Sequence, residues 1–385
     1  MSREIIAHNL KRLRSAAEMT QSVVADLAGM SLSGYQKLER GKADARSESI
    51  KAIAKALHAS IPELLAEVKP LKEVRFRSLK RLKTREQVIA DVVAWLADFD
   101  FLENITNQKQ EHQIAELWDS FKSFDKENIP EFANHCRKVF GVGNKEPVHD
   151  ICGLLEARGI KIKSSSIATD AFMGLSVSSN EQGGPAIIIN TWQRLPVETW
   201  IFSAAHELGH LLMHLGSYDI QALEEDDEQE HEADQFASHF LMPKNAFIRE
   251  WGETAGLSLI DRVFKVKKVF KVSWRTVLFR YTESIKPEQR NKAWMNFNFA
   301  YKVSNGSTLL KHDEPSGVGQ EVYKTGFQRT AGREPYPLDQ YDFQEDRLPK
   351  LVREAVEGGA ISLSRGAEIL RLPYKDMRSL SANWV

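Results

Sequence analysis

The segment Ala204-Ala-His-Glu-Leu-Gly-His-Leu-Leu-Met213 constrains this chain more than any other. On a helix, His206 and His210 lie one turn apart and point the same way. Phe202, Ala205, Leu208, Leu211, Leu212 and Met213 are apolar, so the segment reads as a helix buried at the centre of a domain. Two imidazoles on one face can hold a zinc ion. Glu207 lies beside them, placed to take a proton from an attacking water. The competing reading is a core helix with two satisfied histidines, and a third ligand counts against it.

That ligand stands in Gln229-Glu-His-Glu-Ala-Asp-Gln-Phe-Ala-Ser-His-Phe-Leu-Met-Pro243. A catalytic zinc site takes three protein ligands and leaves a fourth position open. Helical spacing puts Ala233, Phe236, Ala237 and Phe240 on an apolar stripe. Glu230 shares that side better than Glu232, so Glu230 is the expected ligand, with Glu232 and His231 as competitors. The arrangement resembles thermolysin-like enzymes, in which an Asp one turn after the ligand Glu orients the first histidine. The resemblance implies that role for Asp234. A two-His, one-carboxylate site would also accept manganese or iron.

A chain of 385 residues has room for two or three domains. At 42% hydrophobic and 27% charged residues it reads as globular. No apolar run approaches a membrane span, and the opening Met-Ser-Arg-Glu-Ile-Ile is too polar for a signal peptide, so no membrane partner is expected. Cys136 and Cys152 are the only cysteines, which argues against a disulfide framework and for the cytoplasm. The net charge of −1 says nothing about partners. Its distribution says more: residues 69–85 are strongly basic and 224–234 strongly acidic.

Residues 1–68 read as five short helices. Ile5, Leu10, Leu13 and Ala17 mark the first; Thr20 caps a second, which Gly29 ends; Ser31 caps a third, which closes at Gly41. Helix, glycine turn, helix is the DNA-reading helix-turn-helix. Leu10-Lys-Arg-Leu-Arg14, Thr20-Gln21, Ala28-Gly-Met-Ser31, Tyr35-Gln-Lys-Leu-Glu-Arg-Gly41 and Ile53-Ala-Lys-Ala-Leu57 resemble the XRE/Cro-like family of phage-repressor domains. The resemblance implies double-stranded DNA as partner, with base or phosphate contacts from Gln21, Ser31, Ser33, Gly34, Tyr35 and Lys37, and Arg40 and Lys42 near the backbone. It also implies a homodimer on a palindromic site.

Residues 69–145 read as a basic connector and linking helices. Lys69, Lys72, Arg75, Arg77, Lys80, Arg81, Lys83 and Arg85 would add phosphate contacts or form a solvated face. Helices are expected at 84–104 and over roughly 109–140. From 146 to 285 the pattern turns to mixed α/β: a helix at 149–158, strands at 160–163, 171–178 and 186–190, then the metal helix at 196–213. A sheet edge beside that helix could hold an extended peptide by strand addition. Ile151-Cys-Gly-Leu-Leu-Glu-Ala-Arg-Gly159, Ala186-Ile-Ile-Ile-Asn190, His206-Glu-Leu-Gly-His210, Glu230-His-Glu-Ala-Asp234 and Leu241-Met-Pro243 resemble the ImmA/IrrE family of zinc-dependent endopeptidases. That resemblance implies Zn2+ held by His206, His210 and Glu230, Glu207 as general base, and cleavage of XRE-type repressors in stress or prophage induction. The insertion 215–228 would gate the cleft or form a solvated loop.

Residues 257–281 read as a small basic helical tail of the peptidase. Residues 286–342 look irregular, and 346–370 returns to helix. Ala360–Leu370 followed by Pro373–Met377 reads as a further helix, turn and helix, used for packing, docking or DNA. The expected fold is multi-domain: an all-α helix-turn-helix head (1–68), the connector (69–145), an α+β zincin-like, thermolysin-like peptidase (146–285), and a mostly helical C-terminal region (286–385). The expected function is a DNA-binding endopeptidase that cleaves a repressor or itself. The alternative is a non-proteolytic regulator or antitoxin whose metal site is structural or sensory. A tetrahedral oxyanion would need a donor besides the metal. His214, Tyr218, His239 and Tyr281 are the candidates, and spacing does not choose among them.

Overall fold

A computed structural model describes residues 3–17, 19–57, 59, 61–65, 71–76, 85–124, 128–167, 172–219, 226–309 and 334–384. The chain divides into two compact units, Met1–Leu71 with Leu79–Asp98, and Lys72–Ser78 with Phe99–Val385.

The first unit opens with α1 (Arg3–Ala16), α2 (Gln21–Leu27), α3 (Leu32–Glu39), α4 (Ser47–Ala56) and α5 (Ile61–Leu65). The expected caps form: Thr20 accepts from the Val23 N–H and Ser31 from the Gly34 N–H. Gly29 takes the left-handed conformation at φ 65° that lets α2 turn sharply into α3. Leu10, Leu13, Val24, Ala25, Tyr35, Leu38 and Ile53 form the core. Arg14 reaches the two Glu39 oxygens through Nε and Nη2, at 2.8 Å each, tying α1 to α3. The first part of α6 (Arg85–Thr106) belongs to this unit, and Arg12 donates to Gln87 at 2.7 Å.

In the second unit, α7 (Ile114–Phe121), α8 (Ile129–Val139) and α9 (Ile151–Glu156) precede a small mixed sheet. Its strands are β1 (Val74–Phe76), β2 (Lys161–Ser165), β3 (Gly174–Val177) and β4 (Ala186–Asn190), in the order β1-β3-β4-β2. β2 runs parallel to β4; β1 and β4 run antiparallel to β3. Every residue of β4 is buried, as its unbroken Ala-Ile-Ile-Ile run requires of a strand covered on both faces. α10 (Val197–Met213) packs against β3 and β4, and α11 (Asp227–Leu241) packs against α10 and α8. α12 (Lys244–Glu253), α13 (Leu259–Phe270) and α14 (Trp274–Glu283) follow.

Two expectations need correction. The connector is not a body of its own: Val74–Phe76 is an edge strand of the sheet, and the helices after Asp98 belong to the second unit. Lys69, Arg77, Lys80, Arg81 and Lys83 lie outside the described residues. Residues 286–342 are not all irregular. Pro287–Asn305 forms α15, which buries Ala293, Phe297 and Tyr301 at helical spacing and stops at Gly306. The glycines that suggested irregularity begin only at 306; those at 317, 319, 326 and 332 fall outside the described residues.

The C-terminal part is tied into the same unit. Lys267 on α13 is fully buried and bridges Glu198 of α10 and Glu334 at 2.8 Å each, with the carbonyls of Pro335 and Tyr336 completing its shell. Burial, opposed by the Lys267 charge, raises the Glu334 pKa to about 7. Glu345 accepts from the Ser164 N–H and hydroxyl on β2. α16 (Arg347–Glu357), α17 (Leu363–Ile369) and α18 (Tyr374–Ser381) end the fold. Replacing a buried cation leaves its partners' charge uncompensated, at a cost of about 3–5 kcal/mol. Lys267→Met should therefore lower the urea-unfolding free energy by about that amount. A loss under about 1 kcal/mol would mean the triad does not hold the C-terminal segment down.

Candidate metal centre and DNA-reading helix

α10 is buried on nearly every side, which puts His206, Glu207 and His210 in the core with at most 1% of their surface exposed. α11 crosses close to it because residue 209 is glycine. A Cβ there would lie 3.1 Å from Phe236 Cδ1 and 3.4 Å from Ala233 Cα. The close crossing carries Glu230 to the two histidines.

The His206 and His210 Nε2 atoms are 2.9 Å apart, and Glu230 meets them at 3.2 Å through its two oxygens. Each of the three residues offers a ligand atom within 4.8 Å of the others. Ligands about 2.0–2.1 Å from a tetrahedral zinc ion stand about 3.3 Å apart, so this donor set fits zinc in number, type and spacing. The far nitrogens are held as well. His206 Nδ1 faces Asp234 at 2.7 Å. His210 Nδ1 faces His214 Nδ1 at 2.8 Å, and His214 Nε2 faces Glu232 at 2.7 Å. With a proton on each outward Nδ1 of the pair, both Nε2 lone pairs point inward.

Glu232, the competitor for third ligand, is thus engaged with His214, while His231 is exposed and contacts Gln235. Burial lowers the His210 pKa well below its usual value, and burial with the Arg75 charge brings His214 down to about 3. Burial would raise the Glu230 carboxyl; where the histidine Nε2 atoms carry protons instead of a metal, their contacts outweigh burial and hold the pKa far below the carboxylate range.

Ser176, not singled out from sequence, completes the centre together with Tyr218 and Arg75. Tyr218 donates to Ser176 Oγ at 2.8 Å, and Ser176 donates to Glu207 Oε2 at 2.7 Å. Arg75, read as part of a phosphate-binding or solvated stretch, lies opposite Ser176 in the β1–β3 ladder. Its guanidinium reaches Gln229 at 2.6 Å and Glu230 at 3.2 Å. A signal was present in Gly174 and Ser176, small residues two apart, which share the face of β3 that meets α10. A Cβ on Gly174 would sit 3.3 Å from Glu207 Cγ. Of the four oxyanion candidates, Tyr218 and His214 border the cluster, whereas His239 meets Arg280 and Tyr281 stacks on Trp251. A sheet edge beside the metal helix is the expected place for an added peptide strand; the outer edge of β3 carries β1. Residues 220–225 of the insertion 215–228 lie outside the described residues.

In the head, Ser33, Lys37, Arg40 and Lys42 are exposed on α3 and just beyond it, as a DNA-reading surface requires. Ser31 is exposed, but its hydroxyl oxygen caps α3 by accepting from Gly34, which engages the Gly34 N–H as well. Gln21 donates to Glu39 and accepts from Gln36, so its amide clamps α2 to α3. Tyr35 corrects the expectation outright. It is fully buried, and burial pushes its hydroxyl pKa up, so it supports α3 from within and presents no surface to DNA.

Metal analysis of the purified protein should find zinc in the wild type and none in Glu230→Ala. Glu232→Ala should keep zinc but bind it about 10–100-fold more weakly in competition with a chromogenic chelator, because its His214 contact orients His210. Loss of zinc only in Glu232→Ala would reassign the third ligand.

Residues 5–68 match the family described as a helix-turn-helix domain, and residues 155–282 match the IrrE N-terminal-like domain. No curated protein gives a significant match. Among the described residues, no helix is long and apolar enough to cross a membrane.

Proposed function

We propose that this chain, which joins a helix-turn-helix domain to an IrrE N-terminal-like domain, is a DNA-binding, zinc-dependent endopeptidase that regulates transcription by cleaving a repressor-like protein. The observation that carries the reading is the convergence of His206, His210 and Glu230 in the core with Glu207 beside them. Zinc in such a site supplies a Lewis acid that polarises a carbonyl and acidifies water. The chain's own residues supply the rest. Asp234 and the His214–Glu232 pair fix the rings that bind it. Glu207 takes the proton of the attacking water and delivers it to the leaving amine. The hydrogen bond from Ser176 fixes one Glu207 oxygen, and Tyr218 fixes Ser176 in turn. The signal that switches the peptidase on is stress, phage or a toxin–antitoxin partner, as the family resemblance implies.

A general base is worth about 10²–10⁴-fold in rate. Glu207→Gln should therefore keep zinc and DNA binding yet lose about that much cleavage of a mixed peptide library, read by mass spectrometry. If the wild type cleaves nothing and Glu207→Gln regulates as the wild type does, the protein is a non-proteolytic regulator or antitoxin with a structural or sensory metal site.

The position of β1 favours a self-directed version of the same activity. The segment along the β3 edge is the chain's own, anchored where Glu181 accepts from the Lys72 and Glu73 N–H groups at 2.5 and 2.6 Å. A substrate strand that pairs with β3 has to displace it, and the displaced segment is itself a candidate substrate. Glu181→Ala loosens that anchor without touching the metal cluster. It should raise cleavage of the peptide library by on the order of tenfold at unchanged zinc content. Unchanged rates would show that β1 does not stand in the substrate's path.

A further inference from the structure

The last two helices repeat the DNA-reading element of the head in its backbone. α2 has seven residues, a four-residue turn follows, and α3 has eight; α17 has seven, a four-residue turn follows, and α18 has eight. The first cap and the turn correspond bond for bond, while the second helices start differently: Ser31 caps α3 through its hydroxyl, and Pro373 opens α18 with no side-chain cap. Thr20 caps α2 by accepting from the Val23 N–H at 3.3 Å, and Ser362 caps α17 by accepting from the Arg365 N–H at 3.1 Å. In the turns, Gly29 N–H donates to Asp26 and Arg371 N–H to Glu368, both at 3.1 Å. Met30 N–H donates to Ala25 at 3.0 Å and Leu372 N–H to Ala367 at 2.9 Å. Gly29 and Arg371 are left-handed at the same turn position, φ 65° and 55°. Ala25 and Ala367 are buried on the first helix of each pair, and Tyr35 and Met377 are fully buried at matching points of the second.

The two elements differ in what they show to solvent. Met377 is the single buried residue of α18. Gly366 lets that anchor come close, since a Cβ there would meet Met377 Cε at 3.0 Å. Tyr374, Lys375 and Arg378 on α18 and Arg371 in the turn are exposed, with Asp376 the one acidic residue of the helix. A non-glycine residue held left-handed is a mild strain that recurs at functional sites. Here it presents a guanidinium at the point where the chain enters the second helix.

We propose that residues 362–381 form a second DNA-reading helix-turn-helix, with α18 as its recognition helix and duplex DNA as its ligand. A recognition helix reads base edges from its first turn while cations beside it hold phosphates. Tyr374 and Lys375 occupy the first turn, at the positions of Leu32 and Ser33 in the head. Arg371 and Arg378 flank them. The assignment does not depend on the peptidase reading.

The test uses the full-length protein and a labelled pool of 30-base-pair duplexes with randomised centres, followed by selection and sequencing. Lys37→Glu with Arg40→Glu disables the head. In that background Lys375→Glu with Arg378→Glu should weaken binding to the pool by about tenfold or more and lower the slope of log affinity against log salt by about 2. Selection with an intact head should yield two sequence motifs, one of which disappears in Lys375→Glu/Arg378→Glu and in Tyr374→Ala. All three side chains are exposed, so an unchanged thermal melt accompanies the loss. Equal affinity, equal slope and an unchanged set of motifs would overturn the proposal and leave this face to a protein partner.

Discussion

The second unit depends on one close approach, the crossing of α10 and α11 over Gly209. Two helices that share a metal centre must come near enough for a carboxylate on one to meet imidazoles on the other. Phe236 and Ala233 lie so close against the glycine that a methyl group there would press on the Phe236 ring at 3.1 Å. The same contact sets Asp234 against the outer nitrogen of His206 and Glu232 against His214. Donor convergence, ring orientation and the burial that depresses the histidine pKa values are one packing event seen from several residues.

This explains what could and could not be read in advance. Local patterns were strong where local physics decides. The caps Thr20 and Ser31, the left-handed Gly29 and the buried run of β4 are dictated by nearest neighbours along the chain. His206, Glu207, His210 and Glu230 stood out because helical spacing places them before any tertiary contact forms. Arg75 and Ser176 did not, because their meaning comes from pairing across about a hundred residues of sequence, and spacing carries no trace of that. Tyr35 misled for the opposite reason: an aromatic residue on the reading helix looks like a contact, yet it is the side that holds the helix up. The helix α15 was hidden because glycines after its end set the tone of the whole stretch.

Charge tells a similar story. Residues 69–85 read as a basic band, but its one described strand directs Arg75 inward to Glu230, where the guanidinium balances a carboxylate. The buried Lys267 between Glu198 and Glu334 follows the same rule, that an interior cation is there to meet an anion. In both cases the anion comes from a distant part of the sequence, so the composition of a segment says little about the face it will show.

The placement of β1 bears on the order in which the molecule can be built. The five helices of the head are held by contacts close in sequence, so they are able to form early and fast. Residues 74–76 leave the ribosome well before β3, their partner, exists. Until residues 174–177 arrive, the short strand is an open ladder of unmatched backbone groups, available to any other extended chain. Its brevity, the charges Lys72 and Glu73 just before it and Arg75 within it are features that guard such an edge against wrong pairing during that interval.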